Sequence, residues 1–385
     1  MNLQPLLDAI NDRKVVSGLT HSVYRYPARF SPVFARAAIE AFTKPGDTIL
    51  DPFMGGSTSL VEALALGRNA VGTDLNELAV FLARVKTLRL NDPQINELRT
   101  WAELTVPDLS PRKPVVRHDE WKDLGYQNNM PWRFRKVAEQ ALNTALMVLD
   151  GDVLLAARCI VLKTLQWAVD CKKHLPTAAA FRSKLAEDAE LVAASLEDFR
   201  TALDAVEGQR PTVEFYNTPA DDITKVASKA LRERRPKLVV TSPPYPGVHV
   251  LYHRWQVQGR RETAAPYWIA ASNDGMGSSY YTFCDRRNRD QSPYFARLQT
   301  TFGEVRKVVS DSCVVAQLVG FNQPGEQLPL YLKAMSEAGF TEFKFSRSGV
   351  SRDDFWRDVP NRKFYVSLRD KAKQTKEILL LHRAT

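Results

Sequence analysis

Ser242-Pro243-Pro244-Tyr245 is the segment of this chain best suited to a reaction at nitrogen. Two successive prolines stiffen the backbone and remove two N–H donors, so the carbonyls around them face a ligand or water. The Ser242 hydroxyl and the Pro243 carbonyl together form a pair of acceptors for one amino group. An amine held by both keeps its lone pair in line with a methyl donor, and the benefit is orientation and charge placement. Tyr245 adds a ring face on which a planar base can stack. A second candidate lies far upstream. Asp51-Pro52-Phe53-Met54-Gly55-Gly56-Ser57-Thr58 is a loop of small residues, and Asp74 follows it after one helix and one strand. Glycines let the backbone approach a ligand closely, and an acid ending the second strand is placed to accept hydrogen bonds from ribose hydroxyls. No GKT or GKS follows the glycines, so a Walker phosphate loop is not supported.

Hydrophobic periodicity gives the elements that position these residues. Residues 1–20 read as a short helical lead-in, and 32–43 as a helix broken by Pro45-Gly46-Asp47. Thr48-Ile49-Leu50 is a strand, 59–66 a helix closed by Gly67, and 69–73 a strand ending at Asp74. That order opens a doubly wound, mostly parallel α/β sheet, in which ligands bind beyond the strands' carboxyl ends at the switch in strand order. From 92 to 208 the chain is mostly helical, most clearly at 133–149 and 188–206, with a proline-rich loop at 107–114. Strands resume at 212–216 and 236–240, with a helix between them at 224–234, and the second strand runs into the tetrapeptide. Residues 246–293 are polar, aromatic and basic, with a turn at Asn273-Asp274-Gly275. A helix at 294–309, a strand at 313–320, a helix at 328–339 and strands near 340–346 and 376–382 close the chain. The expected division is 1–91 and 209–385 as two parts of one sheet domain, with 92–208 as a helical insertion.

The net charge of +9 suits a polyanionic partner. Basic and aromatic residues interleave after the tetrapeptide: Tyr252, His253, Arg254 and Trp255, then Arg260 and Arg261, then Arg286, Arg287 and Arg289. Trp132-Arg133-Phe134-Arg135-Lys136 forms a second such group. These types contact phosphates and fill the gap left by a base drawn out of the duplex. The four cysteines are far apart with no CxxC pair, which points to reduced thiols in a cytoplasmic protein. No apolar run reaches the roughly 18 residues of a membrane span, and the first residues carry acids where a secretory signal would not. His249 and His253 are four apart but have no third ligand nearby, so no metal is expected. Asp353-Asp354 reads as surface charge.

Taken together, the loop 51–58, Asp74 and the tetrapeptide resemble the amino-methyltransferases of DNA, specifically the class acting on cytosine N4. That family carries an Asp-Pro-Phe loop rich in glycine, an acid after the second strand, and a Ser/Asp/Asn-Pro-Pro-aromatic tetrapeptide after the fourth. Tyr26-Pro27-Ala28-Arg29-Phe30 resembles the element that wraps the methionine end of the cofactor. Pro360-Asn361-Arg362-Lys363 with 376–381 resembles the closing hairpin. The similarity spans roughly 21–90 and 210–382 and leaves 92–208 unexplained. It implies a Rossmann-like class I fold and S-adenosylmethionine as cofactor. Phe53 would lie near the cofactor, Gly55 under its amino-acid portion, and Asp74 on its ribose. Asp221 would hold the adenine amino group, with Asp222 as rival. Tyr26, Pro27, Asp51, Pro52, Gly56, Thr58 and Asn76 complete the implied cofactor set. One position departs from the family: Ser57 stands where the second glycine of Gly-x-Gly is usual.

Serine in the tetrapeptide favours cytosine N4, since adenine N6 enzymes more often carry Asp or Asn there. Displacement at a sulfonium methyl needs no covalent enzyme intermediate, and no cysteine lies near the tetrapeptide, which disfavours methylation at cytosine carbon 5. The implied partner is double-stranded DNA with a flipped base, read by 246–293 and the insertion, beside cognate restriction or defence proteins. The competing expectations are an adenine N6 DNA enzyme, an RNA amino-methyltransferase, and a non-catalytic nucleic-acid-binding subunit.

Overall fold

Short apolar runs, buried on both faces, make the centre of the sheet. The computed structural model describes residues 3–12, 16–27, 30–115, 119–226, 229–246, 254–259, 261–275, 283–284, 290–343, 355–358 and 376–385. Among the described residues ten strands run in chain order: β1 (Thr48–Asp51), β2 (Asn69–Asp74), β3 (Val213–Asn217), β4 (Leu238–Thr241), β5 (Trp255–Val257), β6 (Arg261–Thr263), β7 (Val314–Phe321), β8 (Phe340–Glu342), β9 (Trp356–Asp358) and β10 (Lys376–Ala384). Every residue of β1, β4 and β7 is buried, as expected for parallel strands covered on both sides.

The main sheet has the order β3-β2-β1-β4-β7-β10-β8. Pairing is parallel from β3 through β7. β10 runs antiparallel to β7, β8 and β9. The chain winds outward from β1 through β2 and β3, then from β4 through β7, so the strand order reverses between β1 and β4. The carboxyl ends of those two neighbours form the crevice where such sheets bind ligands.

Two large hydrophobic cores result. The first joins the sheet to the helices Pro32–Phe42, Thr58–Ala65, Ser292–Val308 and Pro324–Glu337. The second joins the helices Asp92–Thr105, Trp132–Val148, Gly151–Val169 and Ala178–Asp204. The helix Glu77–Lys86 serves both: Val80 and Ala83 face the first core, and Leu78, Phe81, Leu82 and Val85 the second. Its apolar residues lie on most sides, as befits a helix packed between two cores, with Arg84 left exposed.

Several elements differ from the sequence-based expectation. Within 246–293, read as polar, aromatic and basic with no strand or helix assigned, the described residues form the antiparallel pair β5–β6 and the helix Ala265–Ala270. Strands of three residues are too short to show alternation, and these are held by docking: Trp255, Val257, Tyr267 and Ile269 enter the second core. The 92–208 block therefore shares its core with chain that follows the tetrapeptide. The helix expected at 188–206 begins ten residues earlier, at Ala178, where Thr177 caps it. The helix expected at 224–234 agrees where residues are described, with Ile223–Val226 and Lys229–Glu233 both helical. Ala28, Arg29, His249, Tyr252, His253, Arg260, Arg286, Arg287, Arg289, Asp353, Asp354 and 360–363 lie outside the described residues.

Candidate active site

The loop after β1 is stitched to the tip of β2 by backbone and side-chain hydrogen bonds. Met54 N donates to the Thr73 carbonyl at 3.1 Å, Thr73 Oγ1 to the Pro52 carbonyl at 2.9 Å, and Gly55 N to Asp74 Oδ2 at 2.9 Å. Gly55 has φ +39°, and a Cβ there would stand 3.1 Å from Tyr26 Cε1, so the Tyr26 ring lies directly over it. Ser57 takes φ +60°, the left-handed conformation for which glycine is the usual choice. Its hydroxyl is buried with no hydrogen-bond partner among the described residues. Lys86, fully buried, donates from Nζ to the Gly56 carbonyl at 2.7 Å. Nothing in the sequence marked Lys86, because it ends an apolar helix.

Asp51 and Asp74 differ sharply. Asp51 is fully buried, and its carboxylate accepts from Phe53 N at 3.1 Å, from Thr241 Oγ1 at 2.7 Å, and from Ser59 Oγ. These bonds tie the loop to the ends of β1 and β4. Burial raises the Asp51 carboxyl to about 6. Asp74, at the end of β2, is only partly buried. It accepts from Gly55 N and from Asn76 N at 2.8 Å, and burial raises it to about 6 against those bonds.

Asn76 is likewise committed internally. It accepts from Leu78 N as a helix cap at 3.0 Å and from Tyr267 OH at 3.0 Å, and donates to Tyr26 OH at 3.2 Å. Its contribution is to place Tyr26, beside which Pro27 is also partly buried. Pro52 and Thr58 are buried at the two ends of the loop.

The Thr241–Asp51 bond joins the two sites. Thr241 ends β4 and Asp51 ends β1, so the tetrapeptide starts one residue from the cofactor loop's anchor. Tyr294 OH donates to the Pro244 carbonyl at 2.6 Å, which leaves the Pro243 carbonyl and Ser242 Oγ as the corner's expected amine acceptors. Tyr245 differs from expectation. Its ring is packed on Gly320 of β7, where a Cβ would come within 2.7 Å of two ring carbons. Its hydroxyl accepts from Ser242 Oγ at 3.1 Å and donates to Glu377 Oε1 at 2.9 Å. At least one ring face is therefore spent on the sheet.

Asp221 lies in the turn after β3 and pairs with Arg297 at 3.5 Å. The Arg297 guanidinium stands 5.4 Å over Phe283, whose ring is 5.5 Å from Phe53. Asp222 pairs with the exposed Lys225, so Asp221 is the acid on the Phe53 side. Arg254, expected to contact phosphate, is tied to Asp274 at 2.7 Å. A buried carboxylate has claimed it to close the loop. Arg261 is exposed. Asn129 donates to the Glu262 carbonyl at 2.8 Å, which brings the exposed Trp132 and Arg133 to one region with Arg261, whereas Phe134 of the same group is buried in the second core.

A parallel sheet reversing at β1/β4, with one antiparallel strand slotted between β7 and β8, is the Rossmann-like fold of class I methyltransferases. Residues 9–84 match the N6/N4 amino-methyltransferase family, described as DNA methylase. This bears out the resemblance to DNA amino-methyltransferases, which that segment carries. The type II methyltransferase M.MvaI of Kocuria varians is 35% identical over 95 residues, covering 24% of this chain and 21% of that protein. M.MjaII of Methanocaldococcus jannaschii is 28% identical over 78 residues, covering 20% and 15%. The chain thus spans about a fifth or less of these relatives. Among solved structures, TrmN from Thermus thermophilus aligns at TM-score 0.35 and 11% identity, over 92% of this chain and 49% of that one.

Proposed function

We propose that this protein transfers the methyl group of S-adenosylmethionine to the exocyclic amino group of a DNA base, with cytosine N4 as the target. The reading rests on one observation above all: the Thr241–Asp51 bond sets the glycine-rich loop and the Pro-Pro corner side by side at the reversal of the sheet.

The cradle fits that cofactor. Gly55 presents bare backbone beneath Tyr26, and Asp74 keeps acceptor capacity beyond its two backbone donors for a pair of ribose hydroxyls. Asp221 holds the adenine amino group beside Phe53. Asp51, Asn76 and Lys86 act as positioning residues. The bound cofactor supplies an electrophilic methyl on a sulfonium. Ser242 Oγ and the Pro243 carbonyl accept from the two N–H bonds of the amine, so its lone pair points along the line of attack. The corner is partly buried, and a bound base that covers it would exclude water and strengthen those bonds.

The second core carries the DNA contact. Arg261, Trp132 and Arg133 project from it near one another, and we assign residues 92–208 with 254–275 to a single DNA-facing subdomain. The target base leaves the stack to reach the corner. Serine at 242 supports cytosine over adenine by the resemblance described above. The type II names of the relatives support a role beside a restriction enzyme.

The test is incubation with tritiated S-adenosylmethionine and duplex DNA or RNA, followed by digestion and identification of the labelled nucleoside. N4-methylcytosine is expected. N6-methyladenine overturns the base assignment, label in RNA alone overturns the DNA assignment, and cofactor binding with no transfer to either reduces the chain to a binding subunit.

A further inference from the structure

Glu377 lies 132 residues from Tyr245, yet it ends a hydrogen-bond chain that starts at Ser242. Gly320 on β7 pairs with Glu377 on β10, and the Tyr245 ring lies over that pair. Glu377 is buried. Arg357 donates from both Nε and Nη2 to its Oε2, at 2.9 and 2.7 Å. The Arg357 guanidinium is itself fixed by a bond from Nη1 to the Ile10 carbonyl at 3.2 Å.

The direction of this chain is forced. A carboxylate accepts and cannot donate. Arg357 occupies Oε2, so Oε1 takes the single proton of the Tyr245 hydroxyl. Tyr245 then has no proton for Ser242 and must accept from it. The Ser242 proton is turned into the protein, and its oxygen is left only with lone pairs for a substrate. Without that constraint a serine hydroxyl rotates freely and can donate to the very lone pair that must attack.

Resting on the amine-methylating reading above, we propose that Glu377 and Arg357 are positioning residues that act through Tyr245 to make Ser242 a pure acceptor. The corner then takes an exocyclic amino group and refuses a keto oxygen in the same place, because two acceptors facing each other share no hydrogen. Thymine and uracil are rejected at the position where cytosine carries its amine.

Glu377→Gln tests this through polarity. Arg357 can only donate, so it claims the glutamine carbonyl, and the amide NH2 faces Tyr245 and reverses the chain. The Ser242 proton is then aimed at the substrate amine. The expected loss is about a hundredfold in kcat, the scale of losing one preorganised polar contact at a reacting centre, with KM for S-adenosylmethionine unchanged. Tyr245→Phe removes the chain without reversing it and costs about tenfold or less. The double variant E377Q/Y245F returns to the level of Tyr245→Phe alone. Wild-type kcat in Glu377→Gln, a larger loss in Tyr245→Phe, or losses that multiply in the double variant overturn the proposal.

A second measurement needs no turnover. Proton NMR of the wild-type chain should show a slowly exchanging, downfield Tyr245 hydroxyl, assigned by its disappearance in Tyr245→Phe. Absence of that resonance overturns the relay even if Glu377→Gln does not fold. Wild-type protein that methylates nothing sinks the amine-methylating reading instead, and the resonance still decides the relay.

Discussion

The tips of β2 and β4 flank β1 and are built in opposite ways. At β2, Asp74 is held by backbone N–H groups of Gly55 and Asn76, both close to it in sequence. At β4, Ser242 is held through Tyr245 by Glu377 and Arg357, which come from the other end of the chain. The difference teaches how the two halves of a transfer site are secured. The acid at the β2 tip is fixed within one strand–loop–helix–strand unit and the start of the next helix. A corner that must orient one hydroxyl draws on strands that meet it only after the sheet has closed.

Substitutions can break that contrast. The largest effect is expected from Ser242→Ala, which removes one of the two amine acceptors: kcat falls about a hundredfold while calorimetric cofactor affinity is kept. Asp74→Ala should do the converse, weakening cofactor affinity about tenfold or more, as expected for hydrogen bonds to a charged group. Equal cofactor loss in both variants would erase the distinction between the two tips.

Acidity sharpens the comparison further. Burial raises the Asp74 carboxyl to about 6 in the free protein. Two ribose hydroxyls need both oxygens as acceptors, so binding favours the ionised form. Cofactor affinity should therefore be steady above about pH 7 and fall as pH drops through 6, by up to tenfold per unit. Asp74→Asn should bind more weakly and lose this dependence, whereas Ser242→Ala should keep it. A Gly320→Ala variant should be destabilised by about 1–3 kcal/mol, read as a lower thermal midpoint, since its Cβ would meet a ring that cannot bend away. The smallest effect belongs to Ser57→Gly. It relieves a left-handed serine and a buried hydroxyl with no partner among the described residues, and stability should hold or rise by less than about 1 kcal/mol, the glycine entropy offsetting part of the gain.

The cofactor side was legible because its signals are local. Asp51 through Thr58, Asp74 and the flanking strands fall within one stretch whose residue types fix a turn, a close backbone approach and a strand end. The roles inside that stretch were less legible: Asp51 and Asn76 have the chemistry of ligands and also bond to residues far along the chain, Thr241 and Tyr267. Arg254 belongs to the same group, claimed by Asp274.

The tetrapeptide itself could be read from its types, and so could the sheet that carries it. Its partners could not. Glu377 begins an apolar strand and resembles an ordinary charged edge residue, and Arg357 sits in a strand of three residues with no pattern. The union of 92–208 with 254–275 was equally hidden, because a three-residue strand gains its stability from docking. Sequence alone therefore determined the winding of the sheet and the chemistry offered at two strand tips, since periodicity and turn residues act over a few positions. Only the closed structure decided that the tips meet through Thr241 and Asp51, and which way the Ser242 proton points. Those outcomes depend on hydrogen bonds between segments more than a hundred residues apart, which only the order of strands in the finished sheet brings within reach.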